Sequence, residues 1–146
     1  MKKAICITVC LLSLLLLCSC KPKEQNDMEN NDKKTLIFIN GVKDADVWIL
    51  PQTQENMKTS LWGTATLSDV RTGESRKAPL CEPGDGGLYI IRMIDTDGFF
   101  YSVSGVSLEA GMTLHIRSDD SNGVSLDVKD KNGKLQNTYK VFSAKL

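Results

Sequence analysis

The side chains able to do chemistry in this chain are few and widely spaced. Cys81 is the only cysteine beyond the first twenty residues and His115 is the only histidine. A thiol nucleophile with an imidazole base can therefore be written in one way, as a Cys81/His115 pair serving a small hydrolase or thiol enzyme. His115 is expected on the polar face of a strand about 30 residues further on, and nothing in the spacing brings the two together. Asp95 and Asp97 precede Gly98, and clustered carboxylate oxygens are what a hard cation such as calcium takes. Gly98 comes two places too early for a helix-flanked calcium loop, so a hairpin turn is the plainer reading. Asp119–Gly123 and Asp130–Gly133 read the same way. Trp48 and Trp62 offer flat apolar faces for a sugar or a peptide. Trp62, beside Gly63 and after the polar stretch 52–60, is the better exposed of the two and the candidate binding surface, but burial in the core is the favoured reading. The glycines of 84–87 open into a strand and not into a helix, so they read as a flexible loop and not as a phosphate cradle. No Gly-x-Ser-x-Gly elbow or zinc-type spacing occurs. The expectation is a non-enzyme with no catalytic residue, no cofactor and no resident metal; Asp95 and Asp97 are the calcium candidates, and a calcium site would need all three aspartate loops to meet at one end of the domain.

The amino terminus carries a different chemistry. Lys2 and Lys3 give a positive start, 4–17 is an uncharged run of 14 residues, and the charged Lys21-Pro22-Lys23 follows. That is the anatomy of a signal peptide. In a helix the run rises only ~21 Å against a hydrocarbon core of ~30 Å, too short to span comfortably. The junction Leu17-Cys18-Ser19-Cys20 resembles a lipobox, with a leucine three places before the cysteine and a small residue just ahead of it. The resemblance implies a bacterial lipoprotein cut before Cys20, whose thiol then carries covalent lipid such as palmitate. Residues 21–34 hold four basic and four acidic residues, three asparagines and one large apolar side chain, Met28, and read as a disordered tether. Residues 1–19 are thus a leader, 20–34 a lipidated cysteine and linker, and 35–146 the folded domain. The expected location is the cell membrane or outer membrane, facing the periplasm or the cell exterior.

Apolar residues make up 41% and charged residues 25%, near the globular average. Charge balances at 18 against 18; loss of Lys2 and Lys3 leaves 16 against 18, or −2. No basic stripe for nucleic acid is present. With one body cysteine the domain must hold together by packing. From Thr35 onward short runs rich in β-branched and aromatic residues alternate with Gly, Asp, Asn and Pro. They predict strands at 36–40, 46–50, 64–70, 75–80, 88–95, 99–106, 113–118, 124–129 and 135–142. Pairs such as Asp97-Gly98 and Asn122-Gly123 supply hairpin turns. Alternation in 113–118 and 124–129 gives strands with one wet face. The runs 36–39 and 47–50 are apolar on both sides, as for strands covered twice or for an exposed patch. The pattern predicts an all-β domain, a small antiparallel β-sandwich or else a small β-barrel.

The order of features from Leu36 to Ile116 resembles a group of small secreted bacterial β domains of unassigned biochemistry. The residues that carry it are Phe38-Ile39-Asn40, Ile49-Leu50-Pro51, Trp62-Gly63 with Leu67, Val70 with Gly73, and Tyr89-Ile90-Ile91-Arg92 running on to Asp95-Thr96-Asp97-Gly98. Ile90 and Ala65 depart from that pattern, which places acidic residues at those points. The resemblance implies a compact β domain and no reaction. The function expected is a membrane-anchored exported lipoprotein displaying a non-catalytic interaction module for a protein or glycan partner; a purely structural envelope lipoprotein is the remaining alternative.

Overall fold

A computed structural model describes residues 34–60 and 62–146. The expected leader, Cys20 and the expected tether as far as residue 33 lie outside the described residues, as does Leu61. The domain is all-β. Its strands are β1 (Thr35–Gly41), β2 (Ala45–Pro51), β3 (Leu67–Val70), β4 (Ser75–Pro79), β5 (Leu88–Asp95), β6 (Phe99–Ser107), β7 (Thr113–Ser118), β8 (Val124–Lys129) and β9 (Leu135–Lys145). One short helix, α1 (Gln54–Lys58), and a tight helical turn at Asp85–Gly87 complete the described elements.

The strands form one sheet in the order β3-β2-β5-β6-β9-β8-β7-β1-β4, nearly closed into a barrel. Of the two forms expected, sandwich and barrel, the hydrogen bonding follows the barrel. All neighbours are antiparallel except β1 and β7. The strands alternate in direction along the chain, so two odd-numbered neighbours must run parallel. That makes the sheet mixed and not purely antiparallel. Alternation turns Phe38, Val47, Ile49, Ile91, Met93, Leu114 and Leu126 inward to a shared core.

Two devices close the barrel. β9 pairs with β8 through Leu135–Val141 and with β6 through Phe142–Lys145, so one bent strand carries the ladder between the two halves. On the far side β3 and β4 lie beside each other across a seam, and Arg76 bridges it. Its guanidinium donates to the Ser68 carbonyl at 2.6 Å and the Asp69 carbonyl at 3.0 Å, while Glu74 holds Nε at 2.7 Å. Asn40, wholly buried, ties the β1–β2 turn to β3 by donating to the Lys43 carbonyl at 2.7 Å and the Val70 carbonyl at 2.8 Å.

Apart from strand ends that differ by a single residue, three features depart from expectation for physical reasons. β3 starts at Leu67 and not Thr64, because the Thr66 hydroxyl accepts the Ile49 N–H at 2.9 Å and a side chain takes the place of the ladder. β9 runs on to Lys145, since its second half gains β6 as a partner. The 52–60 stretch contains α1, capped by Thr53, whose hydroxyl accepts the Asn56 N–H at 3.1 Å. One turn of five residues is too short to show helical periodicity.

Candidate functional site

The outer face of β2, β5, β6 and β9 carries a second cluster, separate from the barrel core. Registers place Trp48 beside Arg92, Arg92 beside Ser102 and Ser102 beside Phe142, one row across four strands. Trp62, arriving from the segment between β2 and β3, completes it. Its ring meets Trp48 edge-on (5.2 Å between centroids, 74°) and stacks on Phe100 (5.2 Å, 29°). Phe100 in turn meets Phe142 at 6.4 Å, and the Arg92 guanidinium carbon sits 4.8 Å above the Trp62 ring. Phe142 is 62% exposed. Ile90, on the same outer face, is only 1% exposed, so the crossing segment covers this part of the wall.

That segment is fastened at its start. The Gln52 N–H donates to the Leu88 carbonyl at 2.9 Å, the Gln52 carbonyl accepts from Asp85 at 2.7 Å, and Gln52 Oε1 accepts the Gly105 N–H at 2.6 Å. Gly84 lies so close that a Cβ there would fall 2.1 Å from the Gln52 carbonyl oxygen. The glycine stretch expected to be a flexible loop is therefore, at Gly84, a site of close backbone packing. Further along, the Trp48 indole donates to the Gly63 carbonyl at 3.1 Å and the Trp62 indole to the Thr59 carbonyl at 3.0 Å.

Arg92 is the residue that spacing alone did not mark. It is 8% exposed, and among the described residues its Nε has no hydrogen-bond partner and Nη1 reaches only the Thr59 carbonyl at 3.4 Å. Burial pushes its pKa below the ordinary arginine value. A buried cation with no anion beside it among the described residues is costly, and the ring of Trp62 offsets only part of that cost.

The other candidate residues fall elsewhere. Asp95 Oδ1 accepts the N–H groups of Asp97 at 2.9 Å and Phe99 at 2.8 Å, and Oδ2 accepts the Tyr101 hydroxyl at 2.8 Å. Burial and then that carboxylate push the Tyr101 pKa up to about 12. Asp97 is ion-paired with Lys43. The same turn chemistry recurs twice: Asp119 Oδ1 accepts from Ser121 and Gly123, and Asp130 Oδ1 from Asn132 and Lys134. The loops after β7 and after β8 sit at opposite ends of β8, so the three aspartate turns do not converge. Among the described residues no group of three or more His, Cys, Asp or Glu side chains is arranged to hold an ion.

Cys81 Sγ lies 3.8 Å from the Ile49 carbonyl, and burial of the thiol, more than the nearby Glu82, raises its pKa, which disfavours the thiolate. His115 stands between Ile39 and Asp127 on the β1–β7–β8 wall. Among the described residues no hydrogen bond joins Cys81 and His115. No family model, curated protein or solved structure matches this chain. The resemblance drawn from Trp62-Gly63 and 89–98 rests on those residues alone.

Proposed function

We propose that this protein is a membrane-anchored bacterial lipoprotein that displays a non-catalytic β-barrel interaction module, with the aromatic wall of Trp48, Trp62, Phe100 and Phe142 as its contact surface. The observation that carries this reading is the continuous row of rings outside the barrel core, ending in a largely exposed Phe142. A barrel needs only its inner face packed, and an outward aromatic row is what a partner surface uses. Strand directions favour display. β1 enters at the end shared with Leu135, whereas β9 runs from there toward Phe142 and Leu146. A tether at the amino terminus then leaves the exposed rings toward the opposite end.

The anchor is tested by metabolic labelling with palmitate. Cys20→Ala should abolish label and membrane retention, whereas Cys18→Ala should not; label persisting in Cys20→Ala overturns the anchor. The surface is tested by Phe142→Ser, which should leave the urea midpoint unchanged. A drop like that of a core truncation would make the wall structural, as in the alternative of a purely structural envelope lipoprotein.

A further inference from the structure

The outer wall holds one buried positive charge with no neutralising group among the described residues. Arg76 has Glu74 and two carbonyls, and Arg117 has both oxygens of Asp127. Arg92, more buried than either, has one long contact to the Thr59 carbonyl and an orphaned Nε. Its cross-strand neighbours are Trp48 and Ser102, neither of them an anion. An arginine fork presents its donors in a plane that matches a carboxylate, and the aromatic rings around it exclude water and strengthen that attraction.

We propose that Arg92 is the anion-recognition residue of a binding site for acidic saccharides, in which a uronate carboxylate takes the guanidinium while Trp62 and Phe142 stack on the apolar faces of adjoining sugar rings. This inference rests on the reading of the aromatic wall as a contact surface. Charge and shape both favour this class of ligand. The row offers one cation among several rings, which suits a chain of rings carrying carboxylates; a ligand recognised by charge alone would call for a cluster of cations. Ser102, between Arg92 and Phe142, adds a hydroxyl of the kind that meets sugar hydroxyls. For the carboxylate to reach Nε the Trp62 ring must shift aside and the Thr59 carbonyl give up its weak contact, so both tryptophans report the event.

The test is a titration of tryptophan emission in the full-length protein in detergent micelles, with three probes: polygalacturonate fragments, neutral dextran, and poly-glutamate as an anion without sugar rings. Polygalacturonate should change the emission, and dextran and poly-glutamate should not. Arg92→Gln should weaken polygalacturonate binding by about tenfold or more, the effect of one charge-assisted contact. Arg92→Lys keeps the charge and stem but loses the fork; it should also bind more weakly, which guards against a misfolded Arg92→Gln protein. Equal response to poly-glutamate, no response to polygalacturonate, or unchanged binding in the Arg92→Lys and Arg92→Gln proteins each overturns the proposal. Palmitate labelling and the Phe142→Ser midpoint are read independently, so a saccharide failure leaves the anchor and the contact surface standing.

Discussion

Two arginines stand at outward positions on opposite walls of the barrel, and their surroundings differ. On β7, Arg117 donates from Nε to Asp127 Oδ2 at 2.8 Å, and the Thr138 hydroxyl donates to Asp127 Oδ1 at 2.7 Å. The pair is partly open to solvent and complete. On β5, Arg92 lies under a crossing segment among aromatic rings, without an acid among the described residues and with its buried Nε unsatisfied. Satisfaction of polar groups is the rule in folded proteins, so the β7–β8 wall is what ordinary surface design produces. The other wall keeps a destabilising group that packing alone does not explain, and such groups concentrate where a protein meets a ligand.

The strongest way to break this contrast is to lift the cover from one wall. Gly84→Ala drives a Cβ into the Gln52 backbone and should cost roughly 1–3 kcal/mol, the usual range for overpacking. Hydrogen exchange should quicken at the Gln52, Asp85 and Gly105 amides and leave those of β7 and β8 unchanged. Loss of protection spread evenly over both walls would show that the cover belongs to the common core.

A sharper test swaps each arginine for an apolar side chain of similar length. Arg92→Met should raise the urea midpoint, a gain on the order of 1 kcal/mol, because a buried uncompensated charge disappears. Arg117→Met should lower it slightly, since Asp127 is left without its partner. A fall in both would mean that Arg92 is held by stabilising contacts after all.

The smallest effect lies in acid. The Arg117 guanidinium, with help from Thr138, holds the Asp127 carboxyl below the ordinary aspartate range despite burial. A depressed folded-state pKa contributes stability that is present above the unfolded value of ~3.9 and is lost as pH falls through the folded value. Unfolding midpoints measured downward from pH 5 should therefore decline, less steeply in Asp127→Asn. Asp119 and Asp130, whose turn hydrogen bonds also lower their pKa values, supply part of the remaining decline. Arg92 has no carboxylate partner among the described residues, and Arg92→Met should leave the acid slope unaltered.

The sequence made the strands legible where their pattern is local. Residues 88–95, 113–118 and 124–129 fall at the observed ends, because alternation and a turn residue define each of them without reference to the rest of the chain. Partner choice was not legible. The parallel β1–β7 pair and the division of β9 between β8 and β6 depend on contacts far apart in sequence. Trp62 stood out as a candidate surface through its neighbours Gly63 and 52–60, but its stacking on Phe100 needs the crossing segment to fold back over β5 and β6. Arg92 sits inside the 89–98 motif and looked like any strand arginine. Its isolation exists only once β2 and β6 bring Trp48 and Ser102 alongside it, and no spacing rule records that neither is acidic. The aspartate turns were visible as turns, while the opposed ends of β8 that keep two of them apart were not.

The bent β9 also governs when the molecule can exist as a folded object. It is the last in chain order of the nine described strands, and until it arrives β6 and β8 each present a free edge and the two halves share no ladder on that side. Contacts that join distant parts of a chain form slowly, and here the deciding ones wait for the final strand. A nascent polypeptide of this design stays open at least until β9 has been made. On the export reading, that delay keeps the chain threadable through a translocation channel and postpones closure of the barrel until the far side of the membrane.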